Sequence, residues 1–199
     1  MAFSALTSDS FNRADGTLDG STLNNAGGGA ESNVWTSTSW TISSNQAFGP
    51  GTDGPIAYPA STAAVDKQRV SSILGNASSV VARYVVANGS CFFAYKNGAD
   101  LILQYFDGGT GYTSIETATG ALSGGETVSI TANGTSITCQ VNGSTVITQT
   151  HASNPTGVGG LRAGGTTTFD DFLYETDSGG GGTPVGADAM HYYVQSHAR

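Results

Sequence analysis

The clearest pattern in the chain lies between Thr127 and Gln149. Thr127-Val-Ser-Ile-Thr-Ala132, Ser136-Ile-Thr-Cys-Gln-Val141 and Ser144-Thr-Val-Ile-Thr-Gln149 alternate apolar residues with Thr, Ser and Gln. A period of two turns one face of a strand to a core and the other to water. Asn133-Gly134 and Asn142-Gly143 separate the runs, and Asn-Gly tolerates the positive φ angles that a two-residue hairpin turn demands. Three consecutive antiparallel strands are predicted.

The rest of the chain reads the same way in shorter pieces. Asp9 to Gly16 predicts a short first strand anchored by Phe11 and ended by Asp15-Gly16, with residues 1–8 as a lead-in. Leu18 to Asn33, rich in Gly, Asn, Ser and Thr, predicts a surface loop. Val34-Trp35, Trp40 to Ile42 and Gln46 to Phe48 predict strand pieces, and Gly49 to Pro59, with three of the five prolines, predicts irregular backbone. Trp35 and Trp40 have two readings, core rings or a surface stacking platform, and rings of that size usually dominate burial. Gln68 to Ile73 and Ser79 to Val86 predict strands, the second with Val80, Ala82, Tyr84 and Val86 on one face and Val81, Arg83 and Val85 on the other. Cys91 to Lys96 and Leu101 to Phe106 flank Asn97-Gly98, a further hairpin signal. Tyr112 to Thr119, Gly157 to Ala163 and Thr167 to Glu175 complete the set. About a dozen short strands separated by turn signals predict an all-β sandwich or jelly roll.

Composition narrows this picture. A chain of 199 residues suits one sandwich of ordinary size with a tail left over. With 29 Gly and only 11% charged residues, it favours turns and disfavours long helices. Net charge is -8 and the 7 Lys and Arg are scattered, whereas a nucleic-acid binder needs a basic stripe to displace counterions from phosphates. No nucleic-acid partner is expected; such a surface suits neutral sugars or another protein. Cys91 and Cys139 each fall in a predicted strand as small buried thiols, and a disulfide would require those strands to be neighbours. Met1 to Leu6 has no basic start and no long apolar core, so neither a signal peptide nor a membrane span is expected. The Asn-x-Ser/Thr triplets at Asn76, Asn88, Asn133 and Asn142 then read as turns rather than glycan acceptors.

Composition shifts abruptly at Asp177-Ser-Gly-Gly-Gly-Gly-Thr-Pro184, a flexible-linker sequence. Beyond it, residues 185–199 hold Met190, His191, Tyr192, Tyr193 and Val194 in one run. The segment is too short to fold alone. It is either a frayed tail or a docking peptide that adds to a sheet edge or lies in a groove of a neighbouring subunit. The expected organisation is a lead-in (1–8), a jelly-roll β-sandwich (9–176), a linker (177–184) and a C-terminal docking peptide (185–199).

The order of Asp9-Ser-Phe-Asn-Arg-Ala-Asp-Gly16 near the start, Trp40-Thr-Ile42, a Val-rich Asn-Gly hairpin, and Phe169-Asp-Asp-Phe172 near the end resembles the concanavalin A-like lectin/glucanase jelly roll. More narrowly it resembles the laminin-G-like sandwiches, over residues 9–176. The resemblance implies that the first and last strands pair, bringing Phe11 close to Phe172. It also implies calcium as a candidate ligand of Asp9, Asp170 and Asp171, since lectin-like sandwiches hold that ion with carboxylates and carbonyls; the other reading of these acids is a solvated edge that resists aggregation. Glycine-rich versions without a signal peptide resemble bacteriophage virion proteins. The expectation is therefore a non-enzymatic virion component, capsid decoration or tail-associated, forming homo-oligomers or joining other virion proteins through residues 185–199. The alternative is a lectin-like module for a host-surface glycan, with Tyr58, Tyr95, Tyr105, Tyr112 and Trp40 as stacking candidates.

Catalytic chemistry finds little footing. Glycoside hydrolysis needs two carboxylates at a fixed separation. Glu116 stands alone in its predicted strand, and adjacent Asp170 and Asp171 point to opposite faces. His151, His191 and His197 lack the close spacing of a zinc site, and no Gly-Lys-Ser/Thr phosphate loop occurs. No enzyme activity and no cofactor beyond calcium are expected.

Overall fold

A computed structural model describes residues 3–21, 23, 35–37, 39–50, 56–60, 64–109, 111–165 and 167–177. These residues form sixteen strands and no helix. The larger sheet runs β14 (Ser144–Thr150), β13 (Ser136–Val141), β12 (Thr127–Asn133), β7 (Lys67–Leu74), β16 (Thr168–Asp177), β5 (Gln46–Phe48), β4 (Thr41–Ser43) and β2 (Gly16–Thr17), with β1 (Phe3–Asp9) also paired to β16. The smaller sheet runs β11 (Tyr112–Ala118), β10 (Asp100–Phe106), β9 (Cys91–Asn97), β8 (Ser78–Tyr84) and β15 (Val158–Ala163). A ribbon of β3 (Trp35–Thr36) and β6 (Tyr58–Pro59) adjoins the smaller sheet through a bridge between Ala57 and Leu161.

The alternation predicted for β12, β13 and β14 is realised. Val128, Ile130, Ala132, Ile137, Cys139 and Ile147 all enter the core. The three Asn-Gly pairs are used in two ways. Asn142 and Gly143 both take positive φ, 48° and 80°, at the centre of the β13–β14 turn, as a type I′ hairpin requires. In the other two hairpins Asn133 pairs with Ser136 and Asn97 with Asp100. There the glycine itself, Gly134 at 56° or Gly98 at 61°, opens the two-residue loop, the position that type II′ reserves for it.

The two sheets bury one core between them. Phe92, Leu101, Leu103 and Leu161 of the smaller sheet meet Val70, Ile130, Phe172 and Tyr174 of the larger. At one end of the sandwich Arg83, buried and with φ of 53°, leaves β8 and reaches the other sheet. Its Nη2 donates to the carbonyls of Asp66 and Gly134, both at 2.6 Å. Burial pushes its pKa down, and these carbonyls partly offset the loss of hydration.

Several boundaries differ from the sequence expectation. Residues 3–8, expected as a lead-in, are the body of β1, and the first strand ends at Asp9 instead of starting there. Phe11 and Phe172 do come close, but through Trp35, which packs 5.9 Å from one ring and 4.8 Å from the other. Leu18 and Leu23 are buried in the stretch expected to be a surface loop; residues 24–34 lie outside the described residues. Ala57 to Pro59 are sheet-paired rather than irregular. In β8 the face assignment fails after Ala82. The pairing to β15 shifts between Val81 and Tyr84, so a bulge at Arg83 moves Tyr84 onto the face of Val81. Val86 lies beyond the strand and is exposed.

Candidate functional site

The smaller sheet is apolar on both faces. Val80, Ala82, Phe92 and Ala94 point into the sandwich, while Val81, Cys91 and Phe93 form a second cluster on the outer face with Ile56, Tyr58, Tyr84 and Phe106. Strand register sets the outer lattice. One row runs Arg162, Ser79, Tyr95, Ile102 and Thr117, and the next runs Gly160, Val81, Phe93, Gln104 and Ser114. A third places Cys91, Phe106 and Tyr112 side by side.

Arg162 and Tyr112 come from the two edge strands of this sheet. Four strand spacings separate them, about 19 Å on a flat sheet. Yet Arg162 Nη2 donates to Tyr112 Oη at 2.7 Å, so the sheet curls and its outer face is concave. The Arg162 guanidinium lies 4.9 Å from the Phe93 ring centroid and 4.8 Å from that of Tyr112. Tyr112 is also stacked on Phe106 at 4.9 Å and 30°. It is 46% exposed, against 6% for Arg162. At the opposite margin Tyr58 packs on Tyr84 at 5.4 Å, and burial raises the Tyr84 pKa, with Tyr58 and Cys91 adding to it. Gln104 donates to Ser114 Oγ at 3.3 Å on the exposed rim. Ser79 Oγ, fully buried opposite Arg162, has no hydrogen-bond partner among the described residues. The face thus gathers aromatic rings, a guanidinium, an amide and hydroxyls, with Tyr112 exposed and Phe93, Ser79 and Arg162 buried.

Of the stacking candidates named from sequence, Tyr58, Tyr95 and Tyr112 lie on or beside this face. Trp40 does not; it is a core ring packed 5.1 Å from Phe169. Tyr105 points to the other side, against Phe92 and His151. Arg162, Phe93, Phe106, Gln104 and Ser79 were missed. A lone arginine in the otherwise apolar Val158–Ala163 run was the available signal, because a charge on a buried strand needs a partner.

Asp9 and Asp170, named from sequence as calcium candidates, have protein partners. Asp9 is fully buried, and both carboxylate oxygens are taken: Oδ1 by the Phe11 N–H at 2.8 Å and Arg13 Nη1 at 2.9 Å, Oδ2 by Arg13 Nη2 at 2.6 Å and Trp35 Nε1 at 2.7 Å. A guanidinium already occupies the place a cation would take. Asp170 and Asp171 sit at a bulge of β16, where the Asp171 N–H donates to Asp170 Oδ1 and Asp171 is exposed with φ of 50°. Partial burial raises the Asp170 pKa, aided by the neighbouring Asp171 charge and opposed by that N–H. Among the described residues no group of three or more His, Cys, Asp or Glu is placed to hold a metal ion. Met190, His191, Tyr192, Tyr193 and Val194 lie outside the described residues.

Cys91 and Cys139 stand in different sheets as free, buried thiols. Glu116 turns to the adjoining edge of the other sheet, where Gln149 Nε2 donates to it at 2.7 Å. Among the described outer-face positions of the five strands the one carboxylate is Asp100, at the hairpin end of β10, where it accepts the Gly120 N–H.

No family model and no curated protein matches this chain. Solved structures do. It is similar to a carbohydrate binding module, CBM66, from Bacillus subtilis, with a TM-score of 0.59 and 15% identity over 71% of this chain and 95% of that one. It is similar to the exoplasmic/lumenal domain of VIP36 in a Ca2+/Man3GlcNAc-bound form (TM-score 0.55, 11% identity, 75% and 86% covered). It is also similar to the catalytic domain of an endo-1,3-beta-glucanase (laminarinase) from Thermotoga petrophila RKU-1 (TM-score 0.54, 9% identity, 89% and 99% covered). At these identities the likeness speaks to fold alone: the chain is a concanavalin A-like jelly-roll β-sandwich, an architecture it shares with a carbohydrate binding module and a glucanase catalytic domain.

Proposed function

We propose that the chain is a non-enzymatic glycan-binding module that takes its ligand on the concave face of the smaller sheet. The observation that carries this reading is Tyr112, exposed on this face beside the pair of Gln104 and Ser114 and backed by Phe106 and by the buried Phe93 and Arg162. Sugars bind where aromatic rings meet hydrogen-bonding side chains, and a concave surface with few convergent polar groups is the usual form of such a site. Support from likeness comes from the fold shared with a carbohydrate binding module and with a domain solved with Man3GlcNAc. The absence of enzyme activity is inferred from the carboxylates: hydrolysis takes two flanking the scissile bond, and this face has only Asp100 among its described positions, at its end. A glycan array should return specific hits, and incubation with β-1,3-glucan should release no reducing sugar. An array without hits, or sugar release, would remove this reading.

A second reading draws its support from the sequence: the module is carried on a bacteriophage virion, as capsid decoration or tail-associated protein, through residues 185–199. The Gly-rich linker followed by Met190-His-Tyr-Tyr-Val194 favours it, because a flexible tether ahead of an aromatic peptide suits docking onto another protomer or virion protein. Deleting residues 178–199 should leave a folded monomer where the full chain forms a defined oligomer by light scattering. Identical masses per particle for both would count against it.

A further inference from the structure

We infer that Arg162 is a positioning residue of the proposed glycan site: reaching over from the far edge of the smaller sheet, it fixes the exposed ring of Tyr112 before a saccharide arrives. The inference rests on the reading of the concave face as a glycan site and names a residue that sets its affinity by acting through another. Tyr112 is the exposed aromatic among the described residues of this face, yet its own strand secures it on one side only. It opens β11 directly after Gly111, whose φ is 112°, and β11 is an edge strand paired to β10 alone. Tyr112, Thr113 and Ser114 are all exposed. A side chain in such a place ordinarily samples several rotamers, and ordering it on binding costs affinity.

Arg162 supplies what the strand lacks. It stands on β15, at the opposite edge of the sheet, directly across from Ser79 of β8, and is buried. Its guanidinium lies 4.9 Å from the centroid of Phe93 in β9 and 4.8 Å from that of Tyr112, while Nη2 donates to Tyr112 Oη at 2.7 Å. Phe106 of β10 stacks on Tyr112 at 4.9 Å. The Tyr112 ring is thus held from the neighbouring strand by a stack and from the far edge by a hydrogen bond. A stack alone leaves a ring free to slide, whereas a directed bond at Oη fixes its tip. A guanidinium suits this task, because its plane packs on aromatic rings while its N–H groups remain available at the rim; an ammonium is a point donor without a plane. Arg162 therefore raises the fraction of molecules whose ring is ready for a sugar, and apparent affinity scales with that fraction.

The test uses the full chain on an array that includes β-1,3-gluco-oligosaccharides and Man3GlcNAc-containing glycans, with calorimetry on the strongest hit. R162Q should weaken binding about fivefold, and R162K, which keeps a donor for Tyr112 Oη, should recover part of that loss. Y112F removes the same hydrogen bond from its other end and should weaken binding about threefold. With the bond already gone, R162Q should add less than about twofold, so the double variant binds nearly as Y112F does. A second measurement needs no substitution at Arg162 and decides the matter should R162Q fold poorly. In the parent chain with isotope-labelled tyrosine, the Tyr112 ring signals, identified by their absence from Y112F, should report the same order with and without saturating glycan. If that ring is mobile and orders only on binding, the inference is overturned while the glycan reading stands. The same holds if R162Q leaves affinity unchanged, or costs the same factor in Y112F as in the parent. If neither the parent nor any variant binds a glycan, both are overturned.

Discussion

Asp9→Ala is expected to destabilise the protein by about 4 kcal/mol, because a buried ion pair that loses one partner costs about 3–5 kcal/mol. Asp9 is the hub of the amino-terminal region. Its carboxylate accepts from the Phe11 N–H, from two nitrogens of Arg13 and from Trp35 Nε1. Arg13 in turn donates to Ser21 Oγ, which donates to the Leu18 carbonyl. One carboxylate thus joins the end of β1, the following loop and β3, and places Trp35 between Phe11 and Phe172. It also supports Phe11 at φ of 52°, an uncommon backbone for an aromatic residue. Removal leaves two neutral donors and a guanidinium without their acceptor, and the 24% exposure of the Arg13 side chain lets water recover only part of the loss. For a chain of this size the midpoint of thermal unfolding should fall by roughly 8–16 °C. The comparison is Asp171→Ala, an exposed acid that should move stability by less than about 0.5 kcal/mol. A loss under about 1 kcal/mol for Asp9→Ala in urea titration would refute the role assigned to the network.

This network also marks the limit of what the sequence shows. Hairpins from β12 to β14 were legible because period and turn chemistry act within a few residues. Val128, Ile130, Ile137, Cys139 and Ile147 face inward as the alternation requires. Asp9 was not legible in its true role. A carboxylate near the start looks the same whether it meets a cation from solvent or the guanidinium of Arg13, and the choice depends on Trp35, 26 residues away. The first strand was displaced for a related reason. Phe3-Ser-Ala-Leu-Thr-Ser-Asp9 has little alternation, and only its pairing with β16 makes it a strand. A single bulge at Arg83 defeated the face assignment in β8, since one inserted residue reverses every later side chain.

The candidate site was half legible for the same reason. Tyr58, Tyr95 and Tyr112 stood out as aromatics, yet sequence spacing gave no ground for separating them from Trp40 or Tyr105, which face the interior. The separation comes from sheet register and curvature. Arg162 and Tyr112 are 50 residues apart and stem from opposite edges of the sheet. Their meeting follows from a curl that no local pattern records, and with it the concave shape that makes the cluster a site. The candidate site depends on long-range contacts, whereas the strands depend on short-range patterns.

Alkaline pH should unfold this protein early, and the two buried thiols are the reason. Burial raises the pKa of Cys139 from 9.0 to about 12, with the Glu116 charge adding to it. Burial likewise pushes Cys91 well up, against the opposing pull of Arg162. A group whose folded pKa is raised contributes its stability fully below the unfolded pKa and loses it as pH climbs toward the folded one. Between pH 9 and 12 the native chain therefore keeps protons that the unfolded chain releases, and stability falls by about 1.4 kcal/mol per pH unit for each thiol. By pH 10.5 the two together should remove roughly 3–4 kcal/mol, a large share of the 5–15 kcal/mol typical of a folded protein. Tyr174, whose pKa burial also raises from 10.0, joins above that value. Urea midpoints should thus be flat between pH 7 and 8.5 and then drop steeply. In a variant carrying both Cys91→Ala and Cys139→Ala the drop should begin about one unit later, set by tyrosine instead of thiol. The same burial predicts that Ellman's reagent at pH 8 finds neither thiol in the native protein and both in 6 M guanidinium. Midpoints that stay level to pH 10.5, or an onset that the double variant does not shift, would mean that the thiols do not govern alkaline stability.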